Sequence, residues 1–145
     1  MSPAPNRVDP RGPRFAAWVT TVVLAAVLLT GNGYLLAAQA VVFALGAFVG
    51  LPYSPYGVVY RTLVRPRLGP PGELEDAAPV RFAQAVGFVF AAVGTVGFLA
   101  GLPAVGLTAT ALALVAAFLN AAFGLCLGCE TYLLIRRLTT KGAPA

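Results

Sequence analysis

The sequence predicts an all-α membrane protein with four transmembrane helices, arranged as two helical hairpins in a small bundle. The first observation is composition: 59% of the 145 residues are hydrophobic and only 10% are charged, whereas soluble domains carry about 25% charged residues. The second is charge distribution, because the stretches from Phe15 to Tyr60 and from Phe82 to Cys129 contain no charged residue. Too few polar residues remain to cover a soluble domain of this size, which excludes a water-soluble globular enzyme.

Each charge-free block is long enough for two helices, since about 20 apolar residues cross the hydrocarbon core. Turn-forming residues interrupt both blocks, at Gly31-Asn32-Gly33 and at Gly101-Leu102-Pro103. The predicted spans cover about residues 15–30, 34–52, 80–100 and 105–135. They form a single transmembrane domain over 15–137, with an N-tail over 1–14, a loop over 53–79 and a C-tail over 138–145.

The charged segments predict the orientation of the chain. Lys and Arg occur only in the N-tail, between residues 61 and 81, and after residue 130, so the positive-inside rule assigns all three segments to the cytoplasm. Four spans also require both termini to lie on one side. The net charge of +5 is therefore attributed to basic segments that flank the helices at the surface of a lipid bilayer. No nucleic-acid partner is predicted. A signal peptide cleaved near Ala38-Gln39-Ala40 would leave three spans and conflict with this charge pattern.

Several polar residues interrupt the predicted spans. The hydroxyls of Thr20, Thr21 and Thr95 can bond to carbonyls of their own helix. Side-chain amides are more costly than hydroxyls in lipid. We therefore expect the amides of Gln39, Gln84 and Asn120 to face the bundle and to form hydrogen bonds between helices. The alternative is a role in binding a substrate. Small residues at helix-packing spacing, Gly46 with Gly50 and Gly124 with Gly128, predict close contacts within the monomer, or a seam between two copies in a homodimer.

The one motif with chemistry is Cys126-Leu127-Gly128-Cys129-Glu130, which holds both cysteines of the chain. On a continuous helix the two thiols and the Glu130 carboxylate share one face. Such a pair can form a reversible disulfide, accept sulfur, bind a soft metal, or pack as small apolar side chains. The chain has no His, and two thiols with one carboxylate fall short of the four ligands that zinc usually takes. No metal site is predicted within one chain.

The predicted position of the motif argues against a simple thioredoxin analogy. Towards the C-terminus of a fourth span, the helix dipole and the neighbouring Glu130 would both disfavour a thiolate. Arg14 and Arg81 are predicted at the cytoplasmic ends of the first and third spans, and one of them is expected to pair with Glu130. The candidate catalytic residues are Cys126, Cys129 and Glu130. The candidate supporting residues are Arg14, Arg81, Gln84 and Asn120.

Three segments of the chain carry a resemblance to a known family: Val8-Asp9-Pro10-Arg11-Gly12-Pro13-Arg14-Phe15, Arg81-Phe82-Ala83-Gln84, and Gly124 to Glu130 followed by Tyr132. They are similar to bacterial membrane proteins grouped as domain of unknown function 4395 (DUF4395). The resemblance implies a bacterial cytoplasmic membrane location and a link to sulfur metabolism, with a thioredoxin-like protein or a sulfurtransferase as partner. The resemblance implies no particular cofactor. The four-span form is also similar to membrane proteins of thiosulfate–quinone oxidoreductases, which by itself carries no function.

The motif and the resemblance together lead to one functional hypothesis. The protein is predicted to handle thiol–disulfide or sulfane-sulfur chemistry through the membrane Cys-x-x-Cys-Glu motif. The alternative is a non-catalytic membrane scaffold or assembly subunit with structural cysteines.

Overall fold

The computed structural model describes residues 7–70, 72 and 74–140; the ends of the predicted N-tail and C-tail, residues 1–6 and 141–145, lie outside the described residues. The described chain is mostly helical. In chain order its elements are β1 (Arg7–Val8), α1 (Arg11–Thr30), α2 (Gly33–Ala44), a π-helical turn (Leu45–Val49), a 3₁₀ turn (Leu51–Tyr53), α3 (Pro55–Val59), a second π-helical turn (Tyr60–Val64), α4 (Arg65–Leu68), β2 (Glu75–Asp76), α5 (Ala77–Leu99), α6 (Pro103–Phe123) and α7 (Leu127–Thr139).

Three helices, α1, α5 and α6, are long and apolar enough to cross a membrane, and Gly33–Val49 forms a shorter apolar helix. Large apolar side chains cover the outside of these helices: Leu29 is 87% exposed and Val22 is 67% exposed. A soluble monomer rarely exposes so much apolar surface, whereas a lipid bilayer is the solvent that such a surface matches. The prediction of an all-helical membrane protein is confirmed at this level.

The two tight turns predicted within the charge-free blocks are confirmed. Gly31 ends α1 in the left-handed conformation, with φ 66°, which glycine adopts without steric cost. Asn32 then caps α2, because its side-chain oxygen accepts hydrogen bonds from the N–H groups of Tyr34 and Leu35 at 2.9 and 3.2 Å. In the second block, Gly101 has φ 81° and Pro103 is the first residue of α6.

The helices pack in an order that differs from two self-contained hairpins. α1 packs mainly against α6, α6 against α5, and α5 against α2, whereas α1 and α2 contact each other less. The buried core lies among these four helices and is formed by Leu24, Val27, Leu36, Ala40, Phe43, Ala91 and Ala113. The first hairpin, α1 and α2, is therefore held chiefly by α6 and α5, whereas α5 and α6 of the second hairpin also pack closely against each other.

Glycine permits the close approach of these helices. A Cβ atom on Gly87 would lie 2.7 Å from the Phe43 ring, and one on Gly97 would lie 2.8 Å from the Gly106 nitrogen. Small residues at such positions allow dispersion contacts between backbones, which drive helix association in lipid. In the two predicted Gly-x-x-x-Gly pairs, Gly46 and Gly128 make close contacts, with Gln84 and Ala83 respectively, whereas Gly50 and Gly124 have positive φ and end helices instead.

The N-terminal segment is bound to the loop that follows α4. Strands β1 and β2 are antiparallel, with Arg7 opposite Asp76 and Val8 opposite Glu75. Arg11 donates a hydrogen bond from Nη2 to the Gly69 carbonyl at 2.9 Å. The N-tail and the middle loop, which the charge pattern assigns to one side of the membrane, thus lie at the same end of the bundle.

Asp9 lies at the centre of the contacts that hold this N-terminal segment to the loop. Its carboxylate forms an ion pair with Arg11 at 2.9 Å and accepts a hydrogen bond from the Tyr60 hydroxyl at 2.9 Å. Burial raises the pKa of Asp9, but the hydrogen bonds from Arg11 and Tyr60 and the Arg11 charge outweigh it, so the pKa lies below its ordinary value of 3.8. The ionised carboxylate therefore stabilises the folded chain.

Replacing Asp9 with asparagine is expected to lower the free energy of unfolding by about 1–3 kcal/mol, since hydrogen bonds to a charged group are lost. Because folding lowers the pKa, the wild-type contribution is complete above pH 3.8 and is lost as the pH falls through the folded-state pKa. Thermal unfolding in detergent between pH 3 and 7 tests this. An acid limb equally steep in Asp9→Asn and wild type would contradict it.

The predicted fourth span, 105–135, is not one helix. α6 ends at Phe123 and α7 begins at Leu127, with a short break between them. This correction changes the surroundings of the cysteine motif, which lies at the break.

Candidate functional site

Gly124 produces the break between α6 and α7. It has φ 71°, its N–H donates to the Asn120 carbonyl at 3.0 Å, and the Leu125 N–H donates to the Leu119 carbonyl at 3.2 Å. The first bond is that of the αL motif, which ends a helix at a left-handed glycine; the second is a wider bond from the residue that follows. The length of the predicted span was a signal for this break, because 105–135 is well beyond the roughly 20 residues that a crossing needs.

The cysteine pair begins α7. Cys126 is the N-cap residue, with extended backbone, and its Sγ accepts a hydrogen bond from the Cys129 N–H at 3.1 Å. The Cα atoms of the two cysteines are 5.2 Å apart and their sulfurs lie at disulfide distance. The sequence-based placement near a helix C-terminus is therefore wrong. At an N-terminus the helix dipole and the free N–H groups stabilise negative charge on Cys126 rather than opposing it.

Gly128, between the two cysteines, seats the motif against α5. A Cβ atom at this position would lie 2.6 Å from both Cα and Cβ of Ala83. One turn further along, the Tyr132 and Phe82 rings pack with centroids 5.7 Å apart. The motif therefore lies beside the second turn of α5, close to the end of the bundle that carries β1 and β2.

The motif borders a cavity of about 770 Å³ that extends from this end of the bundle inward. Six of the seven predicted site residues line it: Arg14, Gln84, Asn120, Cys126, Cys129 and Glu130. They come from α1, α5, α6 and α7, so only tertiary packing brings them together. The two cysteines are half-buried and Glu130 is exposed.

Arg81 lies elsewhere. It lines a separate small pocket beside Ala47 and Phe82 and donates hydrogen bonds from Nε and Nη2 to the Ala47 carbonyl at 3.1 and 2.8 Å. Arg14 makes the corresponding contact on α6, from Nη2 to the Ala121 carbonyl at 2.9 Å. Each arginine thus satisfies a carbonyl at the end of a neighbouring helix, where a cation is favoured.

The expected ion pair between Glu130 and one of these arginines is not formed. In the described part of the chain the ion pair within 4.0 Å joins Arg11 to Asp9. Glu130 lies instead in the first turn of α7, where the helix dipole favours a carboxylate. The side chain is exposed, so among the described residues its charge is stabilised by the start of α7 and not by an arginine.

The amides predicted to face the bundle divide into two groups. Gln39 is 1% exposed; its Nε2 donates to Thr20 Oγ1 at 3.5 Å, and its Oε1 accepts from the Tyr56 hydroxyl at 2.6 Å. The prediction of a bond between helices is confirmed for Gln39. Gln84 and Asn120 line the cavity, and neither amide side chain bonds to a described residue.

Sequence reasoning missed four polar residues of the cavity wall: Thr20, Glu75, Asp76 and Thr131. The Thr20 hydroxyl is expected from the sequence to bond within its own helix, and Glu75 and Asp76 fall within the predicted loop over 53–79. Asp76 is the N-cap of α5, accepting from the Ala78 N–H at 3.1 Å. The position of Asp76 before an apolar run was a signal for this cap. No sequence signal distinguishes Thr20 from the adjacent Thr21.

Among the described residues, no group of three or more His, Cys, Asp or Glu side chains could hold a metal ion.

The fold and the site define a class: a small helical membrane protein with a Cys-x-x-Cys pair at the start of a short helix, facing a cavity in the bundle. The chain belongs to the family described as "Domain of unknown function (DUF4395)", whose sequence model matches residues 8–137. The match begins at Val8 in the N-terminal segment, covers all four apolar helices and includes α7 as far as Arg137. Searches of curated proteins and of solved structures find no match.

Proposed function

We propose that this protein carries out thiol–disulfide or sulfane-sulfur chemistry through Cys126 and Cys129 in the bacterial cytoplasmic membrane. The observation that carries the proposal is the position of Cys126, whose sulfur accepts the Cys129 N–H at the N-terminus of α7. Nucleophilic cysteines occur in such positions because the thiolate is the reactive form. A packing role alone gives no reason for a sulfur at the helix N-cap beside a cavity.

In the thiol–disulfide form of the reaction, the Cys126 thiolate attacks a disulfide of a thioredoxin-like partner. A mixed disulfide forms and the partner releases one thiolate. The Cys129 thiol loses its proton, and its sulfur then attacks Cys126, which forms the Cys126–Cys129 disulfide and releases the reduced partner. Glu130, the next residue along α7, is proposed as the proton acceptor for Cys129.

In the sulfane-sulfur form, the Cys126 thiolate takes the outer sulfur of a persulfide carried by a sulfurtransferase. The products are a Cys126 persulfide and the thiolate of the donor. Attack by Cys129 on the inner sulfur then forms the disulfide and releases hydrosulfide. Both forms use Cys126 as the attacking sulfur and Cys129 as the resolving one, so the same variants test them.

The proposed topology has four spans, with Gly33–Val49 as the shortest, and places both termini and the middle loop in the cytoplasm. The Lys and Arg residues at one end of the bundle support this orientation. α7, the most amphipathic of the long helices, would lie along the cytoplasmic membrane surface. A cytoplasmic partner could then reach the half-buried Cys126.

Reporter fusions after residue 145 and at Gly72 are expected to give cytoplasmic signals at both sites. The physical reason is the energetic preference for keeping Arg-rich segments on the cytoplasmic side. A fusion at Gly31, in the charge-free turn between α1 and α2, serves as the control and should report the opposite side. A periplasmic signal at either of the first two sites would refute the topology.

The function is tested by an alkylation gel-shift of the thiols in intact membranes. Both cysteines should be protected under oxidising conditions and become alkylated after mild reduction, and Cys126→Ser should leave Cys129 alkylated under either condition. If both thiols stay reduced and unreactive throughout, the redox function is wrong and a scaffold with structural cysteines is the better description.

A further inference from the structure

The cavity beside the thiols extends further than thiol chemistry requires. Its inner part is lined by apolar side chains, including Phe43, Phe90 and Ala113. A volume of about 770 Å³ lies within the range of small-molecule sites, about 300–1,000 Å³. The polar residues on its wall therefore indicate what kind of molecule would fit.

Thr20 is the most informative of them. Threonines on the same bundle, Thr21, Thr95 and Thr110, each donate the hydroxyl proton to the carbonyl four residues earlier, at 2.7 Å. Thr20 makes no such bond within the described chain. It is only 5% exposed, and its oxygen accepts from Gln39. Since buried donors are nearly always satisfied, its free proton points to an acceptor in the cavity.

Gln84 on α5 and Asn120 on α6 add further donors to the same cavity. Their side-chain amides make no hydrogen bond to described residues, so their NH₂ groups are free to contact a bound molecule. Charge disfavours an anion: the lining includes Glu75, Asp76 and Glu130, whereas the lining base Arg14 bonds to the Ala121 carbonyl. The site fits a neutral, largely apolar molecule with hydrogen-bond acceptors.

We propose that this cavity binds a lipid-soluble quinone, which exchanges electrons with Cys126 and Cys129. A quinone combines a flat apolar ring with two carbonyl acceptors, matching apolar walls that carry separated donors. The inference rests on the proposed thiol–disulfide function. In the step, the two thiols lose two electrons and two protons as the S–S bond forms. The quinone gains both electrons and two protons at its oxygens and becomes the quinol. A dithiol of the thioredoxin-like partner then reduces the Cys126–Cys129 disulfide by the reverse of the exchange described above, which returns the two thiols.

Binding is measured first without thiols, in the full-length Cys126→Ala/Cys129→Ala variant in nanodiscs of a defined phospholipid. The probe is a fully ring-substituted benzoquinone with a decyl tail, and the readout is the rise of the unfolding midpoint with quinone concentration. We expect saturable stabilisation. The dimethyl ether of the corresponding quinol, which has the same ring and tail but no carbonyl, should stabilise the protein much less.

Thr20→Val in this background should weaken binding about fivefold, as expected for one lost hydrogen bond, and Thr20→Ser should restore it. Thr21→Val is the matched control, because Thr21 bonds within α1 and is not a cavity residue; it should bind as tightly as its parent. Equal binding by the Thr20→Val and Thr21→Val proteins, or equal stabilisation by quinone and ether, would overturn the quinone site.

Electron transfer is measured next with the reduced wild-type protein, by thiol alkylation and by quinol absorbance. We expect disulfide and quinol in equal amounts. Quinone binding without thiol oxidation would leave the site standing and refute its redox coupling. Thiols that are oxidised by a small disulfide but not by quinone would refute the quinone inference and leave the proposed thiol function intact.

Discussion

Replacing Gly128 with alanine is expected to displace the start of α7 from α5 and to destabilise the protein by about 1–3 kcal/mol. The new Cβ atom would lie 2.6 Å from the Ala83 Cα atom, and a backbone atom cannot rotate away as a side chain can. The motif must therefore shift as a unit. Thermal unfolding in detergent should show a midpoint several degrees lower, and alkylation of the reduced thiols should change in rate.

Gly72→Ala is the matched control, because a Cβ atom at Gly72 has nothing within 4 Å; its unfolding midpoint should equal that of wild type. Ala83→Gly combined with Gly128→Ala should recover part of the loss, since it removes only the Cβ half of the overlap. Wild-type stability and thiol reactivity in Gly128→Ala would show that α7 does not pack on α5 in this way.

Cys126 is expected to react about tenfold faster than Cys129 with a neutral alkylating reagent at pH 7, when each is the single cysteine of the chain. The helix dipole contributes up to about 2 kcal/mol in favourable geometry, and the Cys129 N–H adds a hydrogen bond to the thiolate. Accessibility does not explain such a difference, since both cysteines are half-buried.

The comparison uses Cys129→Ser and Cys126→Ser. Serine is a good N-cap residue, so Cys126→Ser should retain the start of α7, which circular dichroism and the unfolding midpoint can verify. Equal alkylation rates for the two single-cysteine proteins would show that the start of α7 does not stabilise a Cys126 thiolate. Faster reaction at Cys129 would exchange the two roles and make Cys129 the attacking sulfur.

Much of the bundle was predictable because membrane helices depend on composition over about 20 residues. The Gly31-Asn32-Gly33 and Gly101-Leu102-Pro103 turns follow from local backbone preferences, and α1 and α5 begin within four residues of the predicted starts. The prediction of the fourth span as one continuous helix was wrong because Gly124 has two local interpretations. It can be a small packing residue within a helix or a left-handed residue that ends one, and only its positive φ and its hydrogen bond to Asn120 in the fold distinguish the two.

The sequence was sufficient to predict most of the candidate site residues, but not how they are arranged in space. Polar and thiol groups within apolar spans are few, so choosing Gln84, Asn120 and the cysteines required only that lipid disfavours them. Electrostatic complementarity suggested a pair between Glu130 and Arg14 or Arg81. Both arginines instead bond to carbonyls at helix ends, an option that depends on which helix lies beside each of them.

The sequence by itself determined that this protein is built from apolar helices separated by charged segments, because hydrophobicity and turn preference act over short stretches of chain. The tertiary structure alone decided that α1 packs on α6 and α5 on α2, that Thr20 rather than Thr21 reaches the cavity, and that Cys126 starts a helix rather than ending one. Each of these depends on contacts between distant segments. Such contacts are set by the packing of close-fitting surfaces, which no local pattern encodes.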